Sequence, residues 1–331
     1  MISRPGWNTP GLRFSTFAWG VFGYSLLVIL WGYFLRISES GDGCGTDWPL
    51  CHGTVLPSAA TFPTWVEFIH RISSGVVLLL VIGMFIWALR AYPRRHAVRM
   101  GAGLALLFTI TESLFGAMLV VFGWVATDIS TARILLRPFH VTNTFLLLGA
   151  LVLTPFWASL GVRRFPSFRG QAARVLFLPV LGTLALAWTG SWTGLAATAF
   201  PAQSLADGMG QYLTGEHVLI YLRMSHPILA LLVVALILRT VSRIRDQHGD
   251  NALIRRLILG SGVLAGVQLL LGPLTVLLMM PVWSRLLHLL LADLLWVALL
   301  LSWAALAHHG ADADRQTSPT PVRRRRPTPA P

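Results

Sequence analysis

Four histidines, His70, His140, His226 and His288, recur near the starts of apolar stretches. Arg137, Arg223 and Arg285 each stand three residues before a histidine, whereas His70 has Glu67 at that position and Arg71 after it. Imidazole ligates transition metals, and two histidines facing each other across a helix bundle can hold haem iron by both axial positions. One histidine in an apolar span is ordinarily an interfacial or hydrogen-bonded residue. Four at matched depth are not accounted for that way, because ionisable groups within spans are costly. Zinc and di-iron centres call for carboxylate or thiolate partners, which do not accompany these histidines. Haem ligation is the expected chemistry.

An arginine at i−3 shares its histidine's helix face, one turn outward. Its planar guanidinium matches carboxylates such as haem propionates. Outer lipid headgroups would attract the same side chains, but the repeated spacing favours propionates. Arg71, Arg137, Arg223 and Arg285 form the expected cofactor-binding set. Glu67 breaks the pattern, since a carboxylate repels a propionate unless burial keeps it protonated. The C-terminal pair therefore reads as a permanent haem site and the N-terminal pair as the reactive one, with Glu67 as acid–base candidate. An i,i+4 salt bridge between Glu67 and Arg71 is the plainer alternative.

The elements that position these residues are legible in composition. The 331-residue chain is 55% hydrophobic and 12% charged, against about 25% charged in soluble proteins. Apolar runs near 16–35, 67–90, 101–124, 137–158, 174–195, 218–240, 254–279 and 285–307 each approach the ~20 residues of a bilayer span. They are continuous rather than alternating, which predicts helices and not barrel strands. All 26 basic residues are arginine, most of them in alternate loops. That pattern predicts cytoplasmic termini and explains the net charge of +13 without a nucleic-acid partner. The first run reads as a helix rather than a cleaved signal. Residues 310–331, with Arg323 to Arg326, read as a disordered cytoplasmic tail near anionic headgroups.

An offset of 156 relates His70 to His226, Glu112 to Gln268 and Gly116 to Gly272. Four spans per half is an even number, so the halves form a parallel repeat. Cys44 and Cys51 fall in the first outer loop, where a bracing disulfide and a redox pair are equally open readings. Glu112 and Asp293 read as interhelical hydrogen-bonding groups rather than chemistry.

The Cys-x6-Cys segment around Asp47-Trp48-Pro49-Leu50-Cys51, the run Glu67-x-x-His70-Arg71, and Gln268-Leu-Leu-Leu-Gly272-Pro-Leu-Thr275-Val276 together resemble the haem A synthase family. The likeness extends over both halves to about residue 305. It implies an all-α polytopic membrane protein of eight transmembrane helices in two pseudo-symmetric four-helix bundles. Residues 1–160 would carry the cysteine loop and the substrate haem, and residues 161–309 a haem b.

The resemblance further implies oxidation of the 8-methyl of haem O to the formyl of haem A, by successive hydroxylations with water as oxygen source. His226 and His288 would ligate haem b, His70 and His140 would bracket the substrate, Glu67 would be catalytic, and Cys44 would pair with Cys51. It implies a prokaryotic plasma-membrane location with haem sites near the outer face, an unnamed electron acceptor, and haem O synthase and oxidase-assembly factors as partners. The chain departs from the family pattern in having Glu112 where glutamine is expected and no second cysteine pair around Gly194 to Gln203. A di-haem electron-transfer protein and a haem transporter or chaperone are the competing readings.

Overall fold

The computed structural model describes residues 10–57, 61–125, 128–165, 171–215 and 217–317. Among them the regular structure is helical: α1 (Pro10–Ile37), α2 (Phe62–Ala91), α3 (Ala97–Val121), α4 (Thr131–Leu160), α5 (Gln171–Ala199), α6 (Leu205–Thr214), α7 (Val218–Leu222), α8 (Ser225–His248), α9 (Ala252–Leu277) and α10 (Val282–Thr317). Eight helical stretches are long and apolar enough to cross a membrane, α7 and α8 together making one of them. Each expected span has its helix. Helices satisfy backbone polar groups internally, the main requirement in hydrocarbon.

The contacts form two rings. In the first, α1 packs on α2, α2 on α3, α3 on α4, and α4 back on α1; in the second, α5, α8, α9 and α10 close in the same way. The rings meet where α4 touches α5 and α10. There the Trp296 indole donates to the Phe145 carbonyl at 2.7 Å, and Gly149 packs against Trp296 and Leu300. Accordingly the central window of α4 is 67% buried and that of α10 is 56% buried, against 11% for α3.

Three features depart from the expected outline. The last helix runs to Thr317, past the expected helix end, while Arg323 to Arg326 lie outside the described residues. A short helix, α6, occupies the second outer connection, capped by the Ser204 hydroxyl on the Asp207 amide. The sixth span breaks at Arg223–Met224, between α7 and α8. Pro227 explains this break, because a proline has no N–H for the carbonyl four residues back. That carbonyl, on Arg223, instead accepts from the Thr193 hydroxyl at 3.4 Å. Pro138 leaves the Ile134 carbonyl open in the same way, and the Trp192 indole takes it at 2.9 Å. Each proline lies within two residues of a site histidine, and in each case α5 supplies the donor.

Candidate functional site

The first outer loop is built down onto α2. Cys44 and Cys51 form a disulfide, which settles the pairing. Glu67, 2% exposed, accepts the Cys44 amide on Oε2 at 2.8 Å. Its Oε1 accepts from Arg71 Nε at 3.1 Å and from Nη2. Arg71 also reaches the carbonyls of Asp47 and Leu50. The i,i+4 salt bridge is thus present, and it ties the loop to the helix that carries His70. Arg71, expected among the cofactor-binding residues, has its guanidinium committed to loop and carboxylate.

His70 lies against α1 at Gly32, where a Cβ would stand 2.7 Å from the ring's Cε1. His226 lies against α5 at Gly190 in the same manner, at 3.0 Å. A Cβ at Gly32 would force the His70 ring to shift, and one at Gly190 would require the His226 ring to give by a few tenths of an ångström. His226 and His288 face each other with ring centroids 6.3 Å apart and planes at 78°. In the first ring of helices, His140 and His70 are near enough to act on each other electrostatically. His140 also stacks on Phe115 at 5.9 Å. The structure therefore pairs His226 with His288, and places His70 and His140 in one bundle.

The histidines do not all lack a carboxylate partner, as the sequence suggested. Glu112 Oε1 lies 3.0 Å from His140 Nε2. The same carboxylate accepts from the Thr144 hydroxyl at 2.5 Å and the Asn143 amide at 2.7 Å. Gln268 in the second ring behaves differently, donating to the His288 backbone carbonyl at 2.8 Å. Glu112 is therefore a member of the site, missed because its contact spans two helices. Asp293 is buried with no partner on either oxygen among the described residues.

The arginines divide into two groups. Arg223, though its Nε has no partner among the described residues, has both terminal nitrogens on protein acceptors: Gln211 Oε1 at 2.9 Å, the Ala196 carbonyl at 2.6 Å and the Phe200 carbonyl at 2.7 Å. Arg137 is 4% exposed, with Nε unpartnered. Its Nη2 reaches toward α5, 3.5 Å from where a Gly194 Cβ would stand. Arg285 makes one long bond, to the Thr198 hydroxyl at 3.3 Å, and its Nε is likewise unpartnered. Arg137 from α4 and Arg285 from α10 thus reach neighbouring turns of α5 with donor capacity to spare.

These features fit a haem better than a bare metal ion. Nδ1 of His70, His140 and His288 is buried without a partner, a costly state that a ligand-bearing site explains. No group of three or more histidine, cysteine or acidic side chains suited to a metal ion occurs among the described residues. Paired imidazoles under unsatisfied guanidinium groups match a flat iron macrocycle bearing carboxylates.

A family model described as a cytochrome oxidase assembly protein, COX15-CtaA, matches residues 15–300. A protein of Thermus thermophilus named protoheme IX farnesyltransferase is 42% identical over 311 residues, 94% of this chain and 50% of its own length. The chain thus spans about half the length of that relative. Proteins named heme A synthase match a shorter part: that of Exiguobacterium sibiricum is 40% identical over 107 residues, 32% of this chain and 35% of its own. That of Halalkalibacterium halodurans is 42% identical over 98 residues, 30% of this chain and 33% of its own. The resemblance read from the cysteine loop and the histidine motifs is borne out at the level of the family.

Proposed function

The chain belongs to the cytochrome oxidase assembly protein family, and from that premise we propose that it oxidises the 8-methyl group of haem O to the formyl group of haem A. The observation that carries this reading is the inequality of two otherwise similar histidine sites. His226 and His288 face each other directly, which suits a haem b held permanently. His140 shares its ring with the Glu112 carboxylate, which suits a site whose tetrapyrrole must come and go.

Methyl and water become formyl with release of four electrons and four protons, so the substrate bundle needs proton acceptors and a route for charge. The bound haem b would supply one-electron redox chemistry between substrate and an external acceptor. His70 and His140 orient the substrate. Glu67 sits under the disulfide loop, hydrogen-bonded to Cys44 and Arg71, and is the acid–base candidate. Arg137 and Arg285 hold carboxylates at the junction of the bundles. Residues 1–160 and 161–309 make the substrate and haem b bundles, with both termini cytoplasmic, the haem sites near the outer face and the membrane that of a prokaryotic cell.

The Thermus relative is named for farnesylating protohaem IX and is twice as long as the match. Its name fits a partner that supplies the farnesylated haem this chain consumes. The decisive test is expression with a source of haem O, followed by extraction and chromatographic separation of the haems. Haem A is expected, and a folded, haem-b-containing preparation without haem A overturns the assignment. Two fixed haems and no product would instead identify a di-haem electron carrier.

A further inference from the structure

Arg36 belongs to no sequence motif, yet it lies in the first bundle's site. It follows Gly32 by four residues on α1 and so shares the helix face that touches the His70 ring. Its charge acts on His70, on Glu112 and on Arg137. Among the described residues its guanidinium has no hydrogen-bond or ion-pair partner.

Positive charge predominates around it, with Asp128 acting on Arg133 and Glu112 on Arg36 as the opposing carboxylates. Arg36, Arg133 and Arg285 all act on Arg137. The one carboxylate acting on Arg36 is Glu112, which already serves His140, Asn143 and Thr144. Arg133 and Arg137 are buried and Arg36 and Arg285 partly so, and like charges gathered within membrane spans repel strongly. Such a cluster calls for an anion.

Comparison of the two bundles singles out the position of Arg36. Gly32 and Gly190 each receive a site histidine, an offset of 190 − 32 = 158. The same offset carries Arg36 to 194, which is a glycine. Arg137, from the first bundle, stands over Gly194. At this position the second bundle has no cation on α5, and Arg137 of α4 stands there instead, while the first bundle has a cation on α1. In the first bundle, moreover, Glu67 replaces the arginine expected three residues before the histidine, and Arg71 is occupied by the loop.

We propose that Arg36 binds a carboxylate of the tetrapyrrole seated between His70 and His140, making the first bundle selective for a free propionate. The proposal rests on the haem reading above, and the test separates the two. Ferric protoporphyrin IX and its dimethyl ester are titrated into the purified haem-b-loaded protein and followed by absorbance, with His70→Ala marking binding to the first bundle. Retained haem b is measured as the pyridine haemochrome.

The diacid should bind roughly tenfold or more tightly than the diester, as charge-assisted hydrogen bonds require. Arg36→Gln should remove that preference with haem b content unchanged. If Arg36→Gln does not accumulate, Arg36→Lys decides, since a point charge without the planar fork should lower the preference several-fold. Wild-type indifference to esterification would assign the arginines to a lipid phosphate and overturn the proposal. A preference surviving either substitution overturns it while leaving the haem reading intact. Binding insensitive to His70→Ala sinks both.

Discussion

Glu112 holds one ring nitrogen of His140 at 3.0 Å, while the other, Nδ1, is buried without a partner. A carboxylate is a stronger acceptor than an amide, so it competes with iron for this imidazole. Glu112→Gln should release the ring. The expected result is a larger low-spin, six-coordinate fraction in the first bundle, read by absorption and electron paramagnetic resonance. A smaller fraction would mean that Glu112 aims His140 at the iron.

Glu67 and Arg71 form a pair largely removed from water, their side chains 3% and 11% exposed. Removing one partner of such a pair costs about 3–5 kcal/mol, more than replacing both. Arg71→Leu should therefore lower the melting temperature further than Glu67→Gln with Arg71→Leu combined. A double mutant cycle by thermal unfolding in detergent checks this. Additive losses would show that the pair contributes little.

The reading of Glu67 as the acid–base group makes a separate demand. Glu67→Gln should keep haem b in the second bundle and lose haem A formation. Extraction of both haems from one preparation reads the two outcomes together. Loss of haem b would place the division of labour between the bundles elsewhere.

The disulfide closes a short loop, with Cys44 and Cys51 separated by seven positions. Such a closure contributes about 2–3 kcal/mol on loop-entropy grounds. Because the Cys44 amide also donates to Glu67, reduction should loosen the carboxylate along with the loop. Dithiothreitol should lower thermal stability and product formation together. Full activity in the reduced protein would confine the bridge to bracing.

Gly32 and Gly190 give a paired test of the histidine cradles. A methyl group at Gly32 would crowd His70, and one at Gly190 would crowd His226, at 2.7 and 3.0 Å from the respective Cε1 atoms. Gly190→Ala should lower haem b content. Gly32→Ala should leave haem b in place and weaken binding of added ferric protoporphyrin IX. Equal effects of the two substitutions on haem b would contradict separate sites.

The sequence carried a good deal of this. Helices follow from long apolar runs, because a bilayer admits little else. The four histidines stood out because an ionisable group is conspicuous against leucine and valine. Less legible was what each arginine would meet. Arg137, Arg223 and Arg285 look alike at their positions, yet Arg223 is taken by carbonyls, as is Arg71 beside His70, and the other two are not. That outcome depends on where α6 and the cysteine loop fold back, which helical periodicity does not encode. Arg36 escaped for a related reason: the residues its charge acts on lie on α2, α3 and α4, and nothing local marks it. The break before His226 was in principle readable from Pro227, since the missing N–H has a local consequence.

The burial of α4 bears on how the protein is made. Its window is 67% buried at a mean hydropathy of 1.6, whereas that of α3 is 11% buried at 2.0. With Arg137, Asn143 and Thr144 along it, α4 gains less from lipid than α3 does and more from other protein. Leaving the translocon, it can lean at once on α1 and α3, but the face that later receives α5 and α10 must wait for synthesis of the second half. Through that interval Arg137 lacks the α5 turn at Gly194 that it packs against, and early release there would offer quality-control proteases a recognisable target.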